Sequence, residues 1–335
     1  MPRQGRLHIV GGCYHVMGRG LERRRIFQTT EDKADLLGRL ALGLQTTHSQ
    51  CLAWALLPNH YHLLLRAGTL PLSRLMRQVL SGYATAYNRR HQRVGYVFQN
   101  RYTSILCDEE TYFLGLVRYI HLNPVKAKLV KTLDELDRYQ WTGHAGLMGY
   151  HSHAWQAHDE VLRQFGQRVT AARRHYRAFL ADGLSLPDPI DYTGGGLIRS
   201  YGGWQHIRAQ RAHHAMRIGD ERILGESDFV EEALKEDELA LDTHSQFRQR
   251  GWTLERLTQR VCQAFGVDPA HLTQKGRANA LSTAKALICH WGITKLGVSS
   301  TELAIRLGLS QPAVSQSAKR GQRYEQAHDL TPDPN

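Results

Sequence analysis

CLAWALLPNHYHLLL, residues 51–65, carries the reading on which the fold turns. Cys51 to Leu57 is a near-continuous apolar run, Pro58-Asn59 is a turn pair, and His60 to Leu65 is a second strand-like run. The stretch therefore predicts a β-hairpin at the centre of a sheet. Residues two apart on a strand share a face, so His60 and His62 point the same way and can converge on one ion. The chain has 19 histidines, enough to produce H-x-H by chance, so the pair needs support from elsewhere.

Upstream of the hairpin, residues 8–17 read as a strand. The Arg-rich stretch 19–25 follows, then Thr29-Thr30-Glu31-Asp32, a capping-box-like start for a helix to about His48. Downstream, Leu72, Leu75, Met76, Val79, Leu80, Tyr83, Ala86 and Tyr87 keep helical spacing over 72–91. Arg74, Arg77, Arg89 and Arg90 lie elsewhere on that helix and suit a polyanion. Residues 96–107 read as a loop and strand, and Asp108 caps a helix through Tyr119 that Pro124 is expected to stop near Asn123. The order β-α-β-β-α-β-α points to an α+β arrangement, an antiparallel sheet with helices packed on it.

That helix ends in RYIHLNP, residues 118–124, where Tyr119 and Asn123 stand four apart and so on one side. Packed beside the hairpin, Asn123 completes a three-ligand metal site with His60 and His62, and Tyr119 faces a phosphorus atom. A phenol with a pKa of about 10 is a poor nucleophile at neutral pH. A divalent cation that polarises the phosphate supplies the missing activation, and attack by Tyr119 would leave a covalent phosphotyrosine.

Charge agrees with a polyanionic partner. Among 335 residues, 43 Lys and Arg face 31 Asp and Glu, a formal charge of +12. The five cysteines, Cys13, Cys51, Cys107, Cys262 and Cys289, have no C-x-x-C spacing and suit a reducing cytosol. No apolar run reaches about 18 residues, so neither export nor a membrane span is expected, and a cytoplasmic location is.

The first domain is expected over 1–150 and a mixed connecting region over 151–250. The latter holds a basic helix near 171–180, the loop SLPDPIDYTGGG at 185–196 and a charged helical stretch at 227–238. A helical DNA-binding domain follows over 251–325, and 326–335 is expected to be a disordered tail. Within the helical domain, STELAIRLGLSQPAVSQSAKRG at 300–321 has a helix-turn-helix layout. Leu303, Ala304 and Leu307 pack the first helix, Gly308 permits the turn, and Ser310 caps the second helix with Pro312 in its first turn. Ser315, Gln316, Lys319 and Arg320 would then be exposed for DNA recognition.

LPNHYHLLL, NRYTSIL and YIHLNPVKAKLV resemble the single-tyrosine HUH transposases, particularly the REP-associated tyrosine transposases, over roughly residues 8–146. The resemblance implies a ferredoxin-like or RRM-like fold, Mg or Mn on His60 and His62, and a 5′-phosphotyrosine on Tyr119 with single-stranded DNA. It also implies recognition of hairpins formed by repetitive extragenic palindromes. Tyr61 stands at the bulky hydrophobic U position and departs from the pattern by its hydroxyl. Some relatives use a glutamine where Asn123 stands. The C-terminal segment resembles the DNA-binding domain of the replication initiator DnaA and Trp-repressor-like helix-turn-helix modules.

Other assignments stay open on the sequence. Tyr112, seven residues before Tyr119, is the rival nucleophile, and Tyr83, Tyr87, Tyr96 and Tyr102 are core or base-stacking aromatics. His15 and His121 are assigned to structure or DNA contact. Arg101 either grips phosphate or is a solvated arginine, and the run Arg19, Arg23, Arg24 and Arg25 is a solvated loop or a backbone clamp. Gly194-Gly195-Gly196 lacks the Lys-Ser/Thr of a phosphate cradle and reads as a turn. Against the enzyme stand a palindrome-binding regulator acting through the helix-turn-helix, a metal-free RNA-cleaving toxin and a zinc hydrolase. A homodimer is left open, because in this class the tyrosine of one subunit can face the histidines of another.

Overall fold

The computed structural model describes residues 6–185, 220, 222–274, 280–328 and 330–332. The hairpin forms as its sequence dictates: β2 (Gln50–Leu57) and β3 (His60–Arg66) pair antiparallel, with Leu57 opposite His60 across the two-residue turn. β1 (Cys13–Arg19) lies on the other side of β3, and β4 (Thr103–Cys107) pairs antiparallel with β1. The short β5 (Ile223–Leu224) joins β4 in parallel, giving the order β2-β3-β1-β4-β5. β1 begins at Cys13 instead of near residue 8, because Gly11 takes φ +83° and Gly12 N–H closes a turn onto Ile9 O.

Two helices cross between these strands, α1 (Thr30–Thr47) from β1 to β2 and α2 (Leu72–Arg90) from β3 to β4. The central strands β1 and β3 with these crossovers make the ferredoxin-like β-α-β-β-α-β unit. Thr29 accepts from Asp32 N–H and the Asp32 carboxylate accepts from Thr29 N–H, so α1 starts on a full capping box. Gly43 of α1 lies against Leu75 of α2, and Tyr83 donates to Ile26 O. Strand alternation puts Tyr61 on the side of the sheet that meets α2 and the loop behind it, where Phe98 touches both Tyr61 and Tyr83.

The opposite face carries Cys13, Leu64, Ile105 and Cys107 and is covered by α3 (Glu109–Lys126), whose Phe113, Leu116, Val117 and Ile120 are buried on it. Burying side chains of this size stabilises by roughly 1.5–3 kcal/mol each. α3 does not stop near Asn123. It continues through Pro124 to Lys126, because a proline in the last turn forfeits one backbone bond, and the Asn123 carbonyl still accepts from Ala127 N–H.

The stretch after residue 150 belongs to the same packing. β2 would otherwise be an open edge, and residues 141–157 cover it: Leu56 N–H donates to Trp141 O, Ala157 N–H to Cys51 O, and Trp54 Nε1–H to Gln156 Oε1. Three short helices, α4 (Leu133–Asp137), α5 (Gly143–Met148) and α6 (His158–Leu162), lead to α7 (Val169–Leu184), which buries Ala172, Tyr176 and Leu180 in the core under α3. By contacts the chain divides into Met1–Ala233 and Leu234–Asn335, so the first unit includes much of what the sequence set apart as a connecting region. The loop at 185–196, with Gly194–Gly196, lies outside the described residues beyond Ser185. α8 (Ser227–Gln249) replaces the shorter helical stretch expected at 227–238.

The second unit is helical. α9 (Leu254–Phe265), α10 (Ala280–Thr294), α11 (Ser300–Leu307) and α12 (Gln311–His328) enclose a core that includes Trp252, Val261, Leu287, Trp291, Leu303 and Val314. Ser299 caps α11 by accepting from Glu302 N–H, and Gly308 at φ +62° turns the chain toward α12. Glu325 of α12 accepts from Trp291 Nε1–H at 2.7 Å and lies 2.7 Å from His290 Nε2 on α10. Two expectations are corrected here. Ser315 is fully buried, because α12 turns Val314, Ser315 and Ala318 inward. The helix also continues past residue 326, and Leu330 N–H bonds Glu325 O, so the tail is not frayed from 326; residues 329 and 333–335 lie outside the described residues. Among the described residues no helix is long and apolar enough to cross a membrane.

Candidate active site

His60 opens β3 directly after the hairpin turn, and the loop between β1 and α1 fixes that turn. Gly20 N–H donates to Asn59 O at 2.8 Å, Ile26 N–H to Pro58 O at 2.9 Å, and Asn59 Nδ2 to Arg23 O at 3.1 Å. Asn59 Oδ1 then lies 2.7 Å from His60 Nδ1. His62 shares the face, with its ring centroid 5.2 Å from that of His60. Its Nδ1 is 3.0 Å from Nε2 of His15, a residue of β1 that pairs with Leu64 and so sits diagonally across from His62.

Both imidazoles thus have Nδ1 engaged, which leaves Nε2 of each as the nitrogen for a metal ion. Burial, and secondarily the charge of Arg19, pushes His60 down to about 4. Burial also holds His62 well below its ordinary value, with His15, His60 and Arg19 acting the same way. The pair is neutral at pH 7, the form that carries a lone pair for coordination.

α3 brings Tyr119 against this pair. Its ring centroid is 5.5 Å from His62 and 5.9 Å from His15, near perpendicular to both, with Lys126 Nζ 5.6 Å away. One turn on, Asn123 Nδ2 donates to Tyr119 O at 2.8 Å, so the atom its side chain can offer is Oδ1. His60, His62, Tyr119 and Asn123 line one cleft of about 470 Å³, together with the exposed Arg19 and Arg101. No acidic side chain lines it, which suits a phosphate. Among the described residues no group of three or more His, Cys, Asp or Glu could hold a metal ion, so an ion here would have two imidazoles and an amide oxygen as protein ligands.

Tyr61, between the two histidines, faces away. It lies over Gly18, where a Cβ would come within 2.5 Å of its hydroxyl oxygen, and burial raises its phenol pKa. The hydroxyl that departs from the U pattern therefore lies on the other face of the sheet and does not line the cleft. Tyr112 packs against the core instead of lining the cleft, and Tyr83 and Tyr87 are core. His121 is buried, with Nδ1 2.8 Å from the Tyr176 hydroxyl.

The remaining basic residues divide. Arg101 is in the cleft, but Arg74, Arg77, Arg89 and Arg90 belong to α2, which does not line it. Arg77 and Arg89 are exposed, and Arg74 is partly buried beside Arg77. Arg90 is engaged by Glu31, Asp32 and Asp35 of α1, with Asp32 fully buried. Gln316, Lys319 and Arg320 are exposed on α12, whereas Ser315 is not. The sequence assigned His15 to structure or DNA contact, not to the metal site, and gave Lys126 no role. Period-two alternation puts His15 on one face of β1, but its neighbour becomes known only from the strand order.

The family described as "Transposase IS200 like" matches residues 9–123, a range that takes in His15, His60, His62, Tyr119 and Asn123. A solved structure described as "Structure of the REP associates tyrosine transposase bound to a REP hairpin" is similar at 19% identity and a TM-score of 0.38, covering 47% of this chain and 97% of that one. No curated protein is matched.

Proposed function

We propose that this protein is a metal-dependent tyrosine transposase that cuts and rejoins single-stranded DNA, at sites beside hairpin-forming palindromes. The observation that carries the reading is the meeting of Tyr119 and Asn123 of α3 with His60 and His62 of β3 in one cationic cleft, across the intervening α2 and β4. The match of residues 9–123 to IS200-like transposases supports it.

His60 Nε2, His62 Nε2 and Asn123 Oδ1 would hold Mg or Mn, which supplies Lewis-acid polarisation of the scissile phosphate and offsets its developing charge. Arg101 and Arg19 hold the phosphate's strand by charge. The Tyr119 oxygen attacks phosphorus, loses its proton to solvent and forms the O–P bond as the bond from phosphorus to the 3′-oxygen breaks. The departing 3′-oxygen takes up a proton, and the 5′ end stays on Tyr119. Attack by a 3′-hydroxyl on that ester reverses the step and rejoins a strand, because one phosphoester is exchanged for another. The charge of Lys126, whose Nζ lies 5.6 Å from the centre of the Tyr119 ring, would favour the phenolate.

In the C-terminal unit, α11 and α12 form the helix-turn-helix of this reading, presenting Gln316, Lys319 and Arg320 to duplex such as a hairpin stem. The test is covalent capture. Protein incubated with hairpin-bearing single-stranded DNA and Mg or Mn gives a protein–DNA adduct that chelation prevents; an adduct that persists in Tyr119→Phe overturns the assignment. A chain that binds palindromic DNA but forms no adduct is instead a regulator.

A further inference from the structure

Among the described residues of the first unit, the largest unexplained apolar exposure is a tip, not a face. Val94 is 96% exposed and Tyr96 83%, on either side of Gly95, in the loop between α2 and β4. The tip is built rigidly. Asn88 Nδ2 donates to Gly95 O and Arg93 N–H to Asn88 O, each at 2.8 Å, which ties it to the end of α2. Beyond it, Leu21 N–H donates to Val97 O and Gln99 N–H to Arg19 O, each at 3.0 Å, which ties it to the end of β1. An aromatic ring held in water on a pinned loop adds nothing to the core.

Two features say what would cover it. The surroundings are basic: Arg89 and Arg101 are exposed, Arg93 is partly so with its guanidinium 5.6 Å from the Tyr87 ring, and Arg19, Arg23 and Arg25 lie on the strand end and loop bonded to 97–99. The one acidic side chain of that loop, Glu22, is paired with Arg24 at 2.6 Å. The loop also runs straight into the cleft, since Gln99, Asn100 and Arg101 line it. Three residues separate Tyr96 from Gln99 and span at most roughly 10 Å, so the tip is within a few nucleotides' reach of a strand with its phosphate at Tyr119.

We propose that Tyr96, with Val94 beside it, is a stacking platform for an unpaired base of the bound DNA strand. Every base offers a π face, so such a platform grips single strands without reading sequence, while the arginines hold the backbone. The proposal rests on the functional reading above for the identity of the polymer.

The experiment uses the full chain and a hairpin oligonucleotide with 2-aminopurine at successive unpaired positions, scored for affinity, fluorescence and covalent adduct. Binding quenches 2-aminopurine at one or two positions. Tyr96→Ala abolishes that quench and weakens binding about tenfold, within the range stacking supplies. Tyr96→Trp keeps both, and the salt dependence of Tyr96→Ala stays that of the wild type because no charge is removed. Tyr96→Ala at wild-type affinity, with adduct still forming, overturns the platform and leaves the transposase reading standing. A Tyr96-dependent quench without any adduct does the reverse. Failure of the wild-type chain to bind the oligonucleotide, or tighter binding of the matching RNA, overturns the platform for DNA.

Discussion

Nδ1 of His62 lies 3.0 Å from Nε2 of His15 on the neighbouring strand, and His15 is 1% exposed. For His62 to offer Nε2 to a metal, its Nδ1 must carry the proton, so His62 donates and His15 accepts. That bond fixes both the tautomer and the ring plane of a ligand.

His15→Ala is therefore expected to weaken Mn binding by about 10- to 100-fold, measured by calorimetric titration of the full chain. Because Ala also opens a cavity, His15→Asn, which keeps an acceptor, serves as the second variant and should recover part of the affinity. Unchanged Mn affinity in both variants removes His15 from the site.

The buried network under α7 sets an acid limit. His121 Nδ1–H donates to the Tyr176 hydroxyl at 2.8 Å, which donates to His144 Nδ1 at 2.9 Å, and His144 Nε2–H donates to Asp137 at 2.8 Å. Burial holds His121 and His144 below their ordinary 6.5, so the folded chain resists protonating them, whereas the unfolded chain protonates them below that value. Stability is thus lost as pH falls below about 6.5, by up to about 1.4 kcal/mol per pH unit for each histidine. Burial alone would raise Asp137, but bonds from His144 and Arg177 keep it below 3.8, so its share is lost only at more acid pH. Urea midpoints that stay level from pH 7 to pH 5 would contradict this account.

The buried Asp32 and the partly exposed Arg90 form a second charge cluster, with His91 3.0 Å from the same carboxylate. Asp32→Ala removes the carboxylate half of the capping box of α1 and one of the three carboxylates around Arg90, and is expected to destabilise by about 1–2 kcal/mol in urea unfolding. Arg90→Gln should likewise lower stability, whereas Arg89→Gln, at an exposed site, should leave the urea midpoint unchanged.

On α12, Ser315 and Lys319 separate packing from DNA contact. Ser315→Lys puts a charge into a closed core and should destabilise the second unit by more than about 2 kcal/mol. Lys319→Ala should leave stability unchanged and lower the salt slope of duplex binding by about one unit. A Lys319→Ala protein with the wild-type slope takes that residue out of the interface.

Local periodicity made the central features legible before any fold was known. The hairpin at 50–66, the shared face of His60 and His62, the Thr29 cap, and the adjacency of Tyr119 and Asn123 on one turn all depend on repeats of two or 3.6 residues. So did the β-α-β-β-α-β-α order, since each element is specified within its own window.

What the tertiary structure decided depends on residues far apart in sequence. His15 and His62 are 47 residues apart and meet only because β3 lies beside β1 in the order β2-β3-β1-β4. Arg90 looked free for DNA until α2 packed on α1 and put it among three carboxylates. Ser315 is buried because the phase of α12 is set by its partner helices, and spacing along one helix does not say which stripe faces inward. The open edge of β2 draws residues 151–157, which the sequence set outside the first domain, into the first unit, with Ala157 N–H bonded to Cys51 O, a backbone bond that any sequence can make, so composition left no sign of it. Sequence by itself determined the chemistry on offer at His60, His62, Tyr119 and Asn123; packing α3 across the sheet decided that the four share a cleft.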